Sequence, residues 1–309
     1  MKYNFKILGI GQSVPTNVVT NQDIENITQG SKSEWIYDKL GIKERRISTT
    51  EDVVSLGVDS AKEAIEDAGI LPTDIDLIIV NTSSPDKVSP SVACMIQNQI
   101  GANCPSFDVN AVCSGFLYST ELVGNLLSTY RNILMVSTET YSKITDWNDR
   151  NSCFFGDGSA SLVITKSDNS NLDVILGADG TGWENFNCDR NSTFNMNGKE
   201  VYKFGVTTLP REIKKLMGKL NLTIDEIDYL VPHQPSHNVL KETAKILNMP
   251  ESKVCFNMTN YANTAGSSVP MALYKLIKTG KVKNDDTLLL AAIGSGWTYG
   301  VGVLKLDYK

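Results

Sequence analysis

One cysteine, two histidines and one asparagine stand in stretches that could make them chemical. Cys113 lies in "DVNAVCSGFLYS" (108–119), where the strand-like "SFDVNAV" gives way to the helix-like "SGFLYSTELVGNLLS". At a helix N-terminus the unpaired N–H groups and the helix dipole favour a thiolate. The position therefore predicts a lowered pKa and an activated nucleophile. Ser114 and Gly115 leave room for a substrate. The competing reading is a small buried hydrophobe, a common fate of an intracellular cysteine. The only histidines, His233 and His237, fall in "VPHQPSH". Their spacing could share a metal ion, but Pro235 between them and the lack of a nearby carboxylate argue against zinc. His233 leaves a buried strand at a helix entrance, which suits either a capped core residue or one facing a ligand. His237 has no such placement and reads as structural or exposed. Asn263 sits in "MTNYANTAGSSVPMAL", either a plain helix-capping loop or part of a site. "IGSGWTYG" (293–300) is either a tight turn between strands or, through Gly294 and Gly296, a close backbone approach to a ligand.

The elements that must carry these residues form an internal repeat. "SAKEAIEDAGILPTDIDLIIVNTSSP", from Ser60, and "REIKKLMGKLNLTIDEIDYLVPHQPS", from Arg211, each read as amphipathic helix, turn, Ile-Asp and buried strand. Val54, Val58, Ala61, Ile65 and Ala68 mark one helix face, as do Ile213, Leu216, Met217 and Leu220. Pro210 suits a first helical position, where its missing N–H costs nothing. "LIIV" and "YLV" are short apolar runs of the kind buried on both sheet faces. "NILMVS" then corresponds to "TLLLAA", and "GDGSASLVIT" to "YGVGVLKL". The ordered series predicts an α/β chain of two related halves, 1–167 and 168–309, packed as one body.

Composition excludes several classes. With 309 residues, 41% hydrophobic and 21% charged, the chain is globular rather than disordered. Its net charge of −6 argues against a general nucleic-acid binder. The start, "MKYNFKILGIGQSVP", lacks the apolar run of a signal peptide, and no membrane-spanning helix is expected. Six scattered cysteines without a C-x-x-C pair fit a reduced, cytoplasmic protein. "GIGQS" is an incomplete dinucleotide fingerprint, with Val14 where the third glycine belongs and Pro15 after it, and is rejected. "FGDGSAS" reads as a turn before a strand rather than a metal loop.

Taken in order, "DVNAVCSGF", "VPHQPSH", "NYANTAGSSVP" and "IGSGWTYG" resemble the β-ketoacyl-acyl-carrier-protein synthase III family of thiolase-like condensing enzymes. "GIGQSVPTNVVTN", "SEWIYDKLGIKERR", "SPSVACMIQNQIG" and "FFGDGSASLVI" extend the resemblance over nearly the whole chain. It implies a duplicated α-β-α-β-α thiolase-like fold, usually as a homodimer. It also implies roles: Cys113 as the nucleophile that accepts an acyl group, and His233 and Asn263 as the pair bonding the second thioester's carbonyl. The backbone N–H groups of Cys113 and Gly296 would form the oxyanion hole, and Trp35 and Arg150 would flank the adenine of coenzyme A. Lys203 and the Arg211–Lys219 helix would offer a basic surface to an acidic acyl carrier protein, though a solvated helix face explains them too. Ser89 stands where the resemblance places a pocket-floor residue, commonly Phe. The usual glycine triplet reads Gly294-Ser295-Gly296, and the usual "HQAN" reads "HQPS". These departures leave a specialised role open, in secondary metabolism or modified fatty acyl synthesis.

The implied chemistry is thiolate attack on an acyl thioester, decarboxylation of a malonyl thioester, and attack of the resulting enolate on the acyl-enzyme to give a β-ketoacyl thioester and CO₂. No metal or redox cofactor is required, coenzyme A or phosphopantetheine thioesters being substrates. Two alternatives are acyl transfer to an amine or alcohol on the same scaffold, and a non-catalytic synthase subunit. Asn263 cannot abstract a proton, which favours condensation over transfer. Retention of Cys113, His233 and Asn263 counts against a silent subunit.

Overall fold

Short apolar runs become strands here because both their faces are covered. The computed structural model describes residues 1–28 and 30–309. A first sheet contains β1 (Lys6–Ser13), β2 (Leu77–Asn81), β3 (Ser106–Val109), β4 (Ile133–Thr140) and β5 (Asp157–Thr165), in the order β1-β5-β4-β2-β3. A second contains β6 (Leu172–Ala178), β7 (Tyr229–Pro232), β8 (Thr287–Gly294) and β9 (Thr298–Lys305), in the order β7-β8-β9-β6. Within the first sheet β2 and β4 are parallel, while β5 is antiparallel to both β4 and β1. The second repeats this: β7 and β8 are parallel, and β9 is antiparallel to β8 and β6. Strand β3 has as its counterpart a single parallel bridge, Leu230 to Val254.

Seven helices position these sheets: α1 (Ser33–Leu40), α2 (Val53–Ala68), α3 (Val92–Ile100), α4 (Gly115–Leu126), α5 (Gly198–Leu220), α6 (His237–Leu247) and α7 (Ser268–Lys278). Alternate strand residues face opposite sides, so each strand serves two cores. Leu77, Ile79, Ile133 and Met135 share one cluster with Phe116 and Leu117 of α4, Val269 and Leu273 of α7, and Leu288 and Leu290 of β8. Their neighbours Ile78, Val80, Leu134 and Val136 pack against α2 and α3. Leu289, Ala291 and Ile293 turn the other way, onto α5 and α6. The result is five layers, α-β-α-β-α, with α4 and α7 in the middle. The sheets interlock at their edges, where Tyr3 bridges Leu172 and Ile7 bridges Tyr308.

Packing explains two local features. The glycines of "GIGQS" serve packing: β1 crosses α2 so closely that a Cβ on Gly9 or Gly11 would collide with the carbonyls of Ala64 and Ser60. Pro210 does not start a helix but lies inside α5. The missing N–H costs one helical bond, but Leu209, Ile213 and Leu216 on the same helix are fully or almost fully buried. Burial of about 1.5–3 kcal/mol per such side chain outweighs the local penalty.

Candidate active site

Cys113 sits where β3 has ended and α4 has not begun. Val112, Cys113 and Ser114 form one tight 3-10 turn, closed by Ser114 N–H to the Ala111 carbonyl at 3.1 Å. Val112 adopts a φ of +50°, a conformation a β-branched residue enters only when its surroundings impose it. The turn is laced to β9, since Ser114 Oγ lies 2.7 Å from Thr298 Oγ1, which lies 3.2 Å from the Ala111 carbonyl. Gly294, the last residue of β8, comes close as well: a Cβ there would lie 3.1 Å from the Cys113 nitrogen. The first residue of α4, Gly115, has no room for a side chain against Asn81.

His233 follows β7 directly, its N–H bonded to the Ala291 carbonyl at 2.7 Å. The next residue, Gln234, accepts from Asn257 and Met258 N–H through Oε1, and its Nε2 donates to the Cys255 carbonyl. It thereby fixes the segment that leads to Asn263. Asn263 is pinned on both sides by backbone, its N–H to the Phe154 carbonyl at 3.0 Å and its carbonyl to Gly156 N–H at 3.1 Å. Its Oδ1 accepts from Ala265 N–H at 2.8 Å, which leaves the amide NH₂ as the free end.

Cys113, His233 and Asn263 line one cavity of about 460 Å³, together with Trp35 and Arg150. Arg150, Lys199 and Tyr202 are exposed at its rim, while Cys113, His233 and Asn263 are at most 5% exposed. Residues from both sheets and both central helices' entrances therefore meet at one place. Trp35 and Arg150 are in direct contact with each other.

Other expected residues lie elsewhere. Ser89 is on an exposed turn and does not line the cavity of its own chain; the preceding buried strand ends at Asn81, and 85–90 run out over the surface. Gly296 is absent from the lining, where Gly294, Ser295 and Trp297 stand instead. It is Gly294 that comes up against the Cys113 amide. Lys203 is exposed beyond the rim and pairs with Glu200 at 3.7 Å. On the Arg211–Lys219 segment, Arg211 and Lys215 pair with Glu212, and Lys219 with Asp173. Much of that basic face is internally neutralised. His237 packs edge-on against Phe256, ring centroids 4.5 Å apart, away from the cavity.

Electrostatics correct one expectation. Burial, with a contribution from the nearby Glu139 charge, drives the Cys113 thiol well above the ordinary cysteine range. The helix start does not make a resting thiolate, because Cys113 lies buried at the inner end of the cavity rather than at a wet surface. Burial also lowers His233 to about 3, so the ring is neutral. Glu139, at the end of β4, is pushed up to about 7 by burial. Its carboxylate accepts from Ser83 N–H at 3.1 Å, Ser83 Oγ at 3.0 Å and Ser84 Oγ at 2.6 Å, and from the Gly266 N–H.

Sequence reasoning missed the wall beside the nucleophile. Tyr141, Phe155, Phe186, Phe194, Met196 and Trp297 form one buried cluster with Cys113. Phe155 stacks on Tyr141 at 4.9 Å and meets Phe194 edge-on at 4.7 Å. Ser295, which replaces the middle glycine, donates through Oγ to the Phe186 carbonyl and so ties the β8–β9 turn to this wall. Scattered aromatic residues carry no periodic signal that could have flagged them.

Comparison with known proteins agrees with this geometry. Residues 107–180 match the family described as 3-oxoacyl-[acyl-carrier-protein] synthase III, and residues 217–306 match its C-terminal part. The chain is 40% identical to the β-ketoacyl-[acyl-carrier-protein] synthase III of Clostridium acetobutylicum, over 97% of this chain and 98% of that one. It is 36% identical to the protein of the same name from Aquifex aeolicus, over 97% and 99%. The crystal structure of the Aquifex aeolicus 3-oxoacyl-[acyl-carrier-protein] synthase III superposes with a TM-score of 0.94, covering 97% of this chain and 99% of that chain at 35% identity. The priming β-ketosynthase of the R1128 polyketide pathway also reaches 0.94, at 28% identity, with 99% and 97% covered. Both the fold and the full-length likeness lead to one conclusion: the chain belongs to the β-ketoacyl-[acyl-carrier-protein] synthase III family.

Proposed function

We infer that the protein condenses an acyl group with a malonyl thioester by decarboxylative Claisen chemistry. The observation that carries the reading is the convergence of Cys113, His233 and Asn263 on one cavity. Cys113 attacks the acyl thioester, its sulfur bonding the carbonyl carbon as the thiol proton passes to the departing thiolate. The Cys113 N–H, with the Gly294–Ser295 backbone beside it, is the proposed cradle for the oxygen that becomes negative. The malonyl thioester then loses CO₂, and the electron pair of the broken bond moves onto its carbonyl as an enolate. The Asn263 amide and a His233 N–H hold that oxygen. The enolate carbon bonds the acyl carbon and expels the Cys113 thiolate, giving the β-ketoacyl product.

Phosphopantetheine, on coenzyme A or on an acyl carrier protein, is the proposed handle of both substrates, with Trp35, Arg150 and Lys199 at the rim to receive it. A homodimer is proposed as the working form. Edge strand β3 carries the partly exposed Phe107, and the exposed turn holding Val88 and Ser89 is available to a second copy.

Intact-mass spectrometry after exposure to an acyl-CoA panel, followed by malonyl thioester and a CO₂ assay, tests the reading. Acyl-enzyme should form on Cys113 and disappear with release of CO₂. His233→Ala and Asn263→Ala should still acylate but lose decarboxylation by roughly 10²–10³-fold, as for one lost oxyanion donor. Acyl delivery to an amine or alcohol without CO₂ release would overturn it.

A further inference from the structure

The enolate role of His233 requires a hydrogen on Nε2, and that requirement reaches past the cavity to a residue behind the ring. His233 is 2% exposed, and its low pKa keeps it neutral, so it carries one ring hydrogen rather than two. Nδ1 lies 2.7 Å from Ser268 Oγ. Nε2 is therefore the nitrogen left for the substrate. In a neutral imidazole the hydrogen bond made by one nitrogen decides which carries the proton.

Ser268 is 1% exposed and opens α7. Its hydroxyl has two acceptors in reach, Nδ1 and the Ala265 carbonyl at 2.8 Å. With its hydrogen toward Nδ1, the ring must carry its own hydrogen on Nε2 and offers a donor to the cavity. Turned toward the carbonyl, the hydroxyl accepts from Nδ1–H, and Nε2 becomes a bare acceptor that repels an enolate oxygen. The Ala265 carbonyl already accepts the backbone N–H of Ser268, which closes the 3-10 turn. It does not depend on the hydroxyl. Asn263, two residues before that turn, presents its amide NH₂ to the same cavity because Ala265 N–H occupies Oδ1.

We propose that Ser268 is a positioning residue that holds His233 in the Nε2–H tautomer. The proposal rests on the condensation reading for its purpose but not for its test. One short segment, Ala265 to Ser268, then orients both enolate donors: its first N–H turns the Asn263 amide, and its last hydroxyl sets the His233 proton.

The chain has only two histidines, which makes the test direct. In protein labelled with ¹⁵N-histidine, His233 should show a pyridine-type Nδ1 and a pyrrole-type Nε2 at pH 7.5. His233→Gln assigns the signals. In Ser268→Ala the hydroxyl is gone and the ring keeps its hydrogen bond to the Ala265 backbone, an acceptor, so the two shifts should exchange. Malonyl decarboxylation should fall about 10- to 100-fold while acyl-enzyme formation changes by less than about threefold, since only the second step uses the donor. Ser268→Thr keeps a hydroxyl and should restore the wild-type shifts and most of the decarboxylation. A pyrrole-type Nδ1 in the wild type overturns the proposal whatever the variants do. So does an unchanged tautomer with unchanged decarboxylation in Ser268→Ala. If wild type released no CO₂, the condensation reading would fall, and the tautomer measurement would still stand on its own.

Discussion

The guanidinium of Arg150 lies over the indole of Trp35, its central carbon 4.2 Å from the ring centroid. That is contact distance, so the two residues stack on each other. A flat base between them would need about 7 Å, twice a van der Waals spacing of roughly 3.5 Å. Arg150 is exposed and lies in the segment 150–154, whose Phe154 carbonyl is bound to Asn263. The side chain can swing while the segment stays in place.

Trp35→Ala should therefore raise KM for a coenzyme A thioester about 5-fold, the equivalent of about 1 kcal/mol of lost stacking, with kcat unchanged. A phosphopantetheine thioester without the nucleotide should show no such change. Equal effects on both substrates would place the adenine elsewhere.

Cysteine reactivity should split by reagent. Cys94 is exposed, and hydrogen bonds from Ser106 and Ser91 lower its pKa, whereas Cys113 is buried and raised. Iodoacetamide at pH 7.5 should modify Cys94 before Cys113, and the Cys113 rate should climb about tenfold per pH unit up to pH 9, following its thiolate. Acyl-CoA should do the reverse and label Cys113 alone, because the cavity brings the carbonyl to it. Peptide mass mapping separates the outcomes. Fast alkylation of Cys113 that is flat above pH 7 would mean a resting thiolate.

The contrast shows what the sequence could carry. The strand runs were legible, since "LIIV" and "TLLLAA" bury both faces, and so were Cys113, His233 and Asn263, each beside a chain reversal. Local signals failed where packing decides. Pro210 looked like a helix start, yet α5 continues through it because its apolar face is held by α6 and the second sheet. Cys113 looked activated because the helix dipole is visible in sequence and the depth of its pocket is not. Only the family resemblance points Ser89 toward a pocket, and no local property fixes where an exposed turn points. Tyr141 and Phe194, 28 and 81 residues from Cys113, meet it only in three dimensions.

That aromatic wall should limit the acyl chain. Tyr141 stacks on Phe155 behind the nucleophile, and its hydroxyl lies 3.1 Å from Ser83 Oγ. Tyr141→Leu removes ring volume without adding charge. It should raise kcat/KM for acyl-CoA substrates longer by one or two carbons about 10-fold relative to the shortest, the scale of one methylene in an apolar pocket. A panel of straight-chain acyl-CoA substrates reads the shift. An unchanged order of preference would mean that the acyl group leaves Cys113 in another direction.

The neutral His233 should leave a mark on stability. Its folded pKa, about 3, lies below the ordinary 6.5. As pH falls below 6.5 the unfolded chain takes up a proton that the folded chain refuses. Stability is therefore lost progressively between pH 6.5 and 3, and the loss at pH 5 is about 2 kcal/mol. Glu139 acts with the opposite sign: its folded pKa, about 7, lies above the ordinary 4.5, so falling pH stabilises the fold across that window. The two offset each other in the wild type, and only a difference measurement isolates the histidine. Urea unfolding of wild type and His233→Gln at pH 7.5 and 5.0 supplies it. Whatever offset the substitution itself causes, the wild type should lose about 2 kcal/mol more than the variant between the two pH values. Parallel losses would show that His233 takes up its proton in the folded protein, and a protonated ring would offer both nitrogens as donors without help from Ser268.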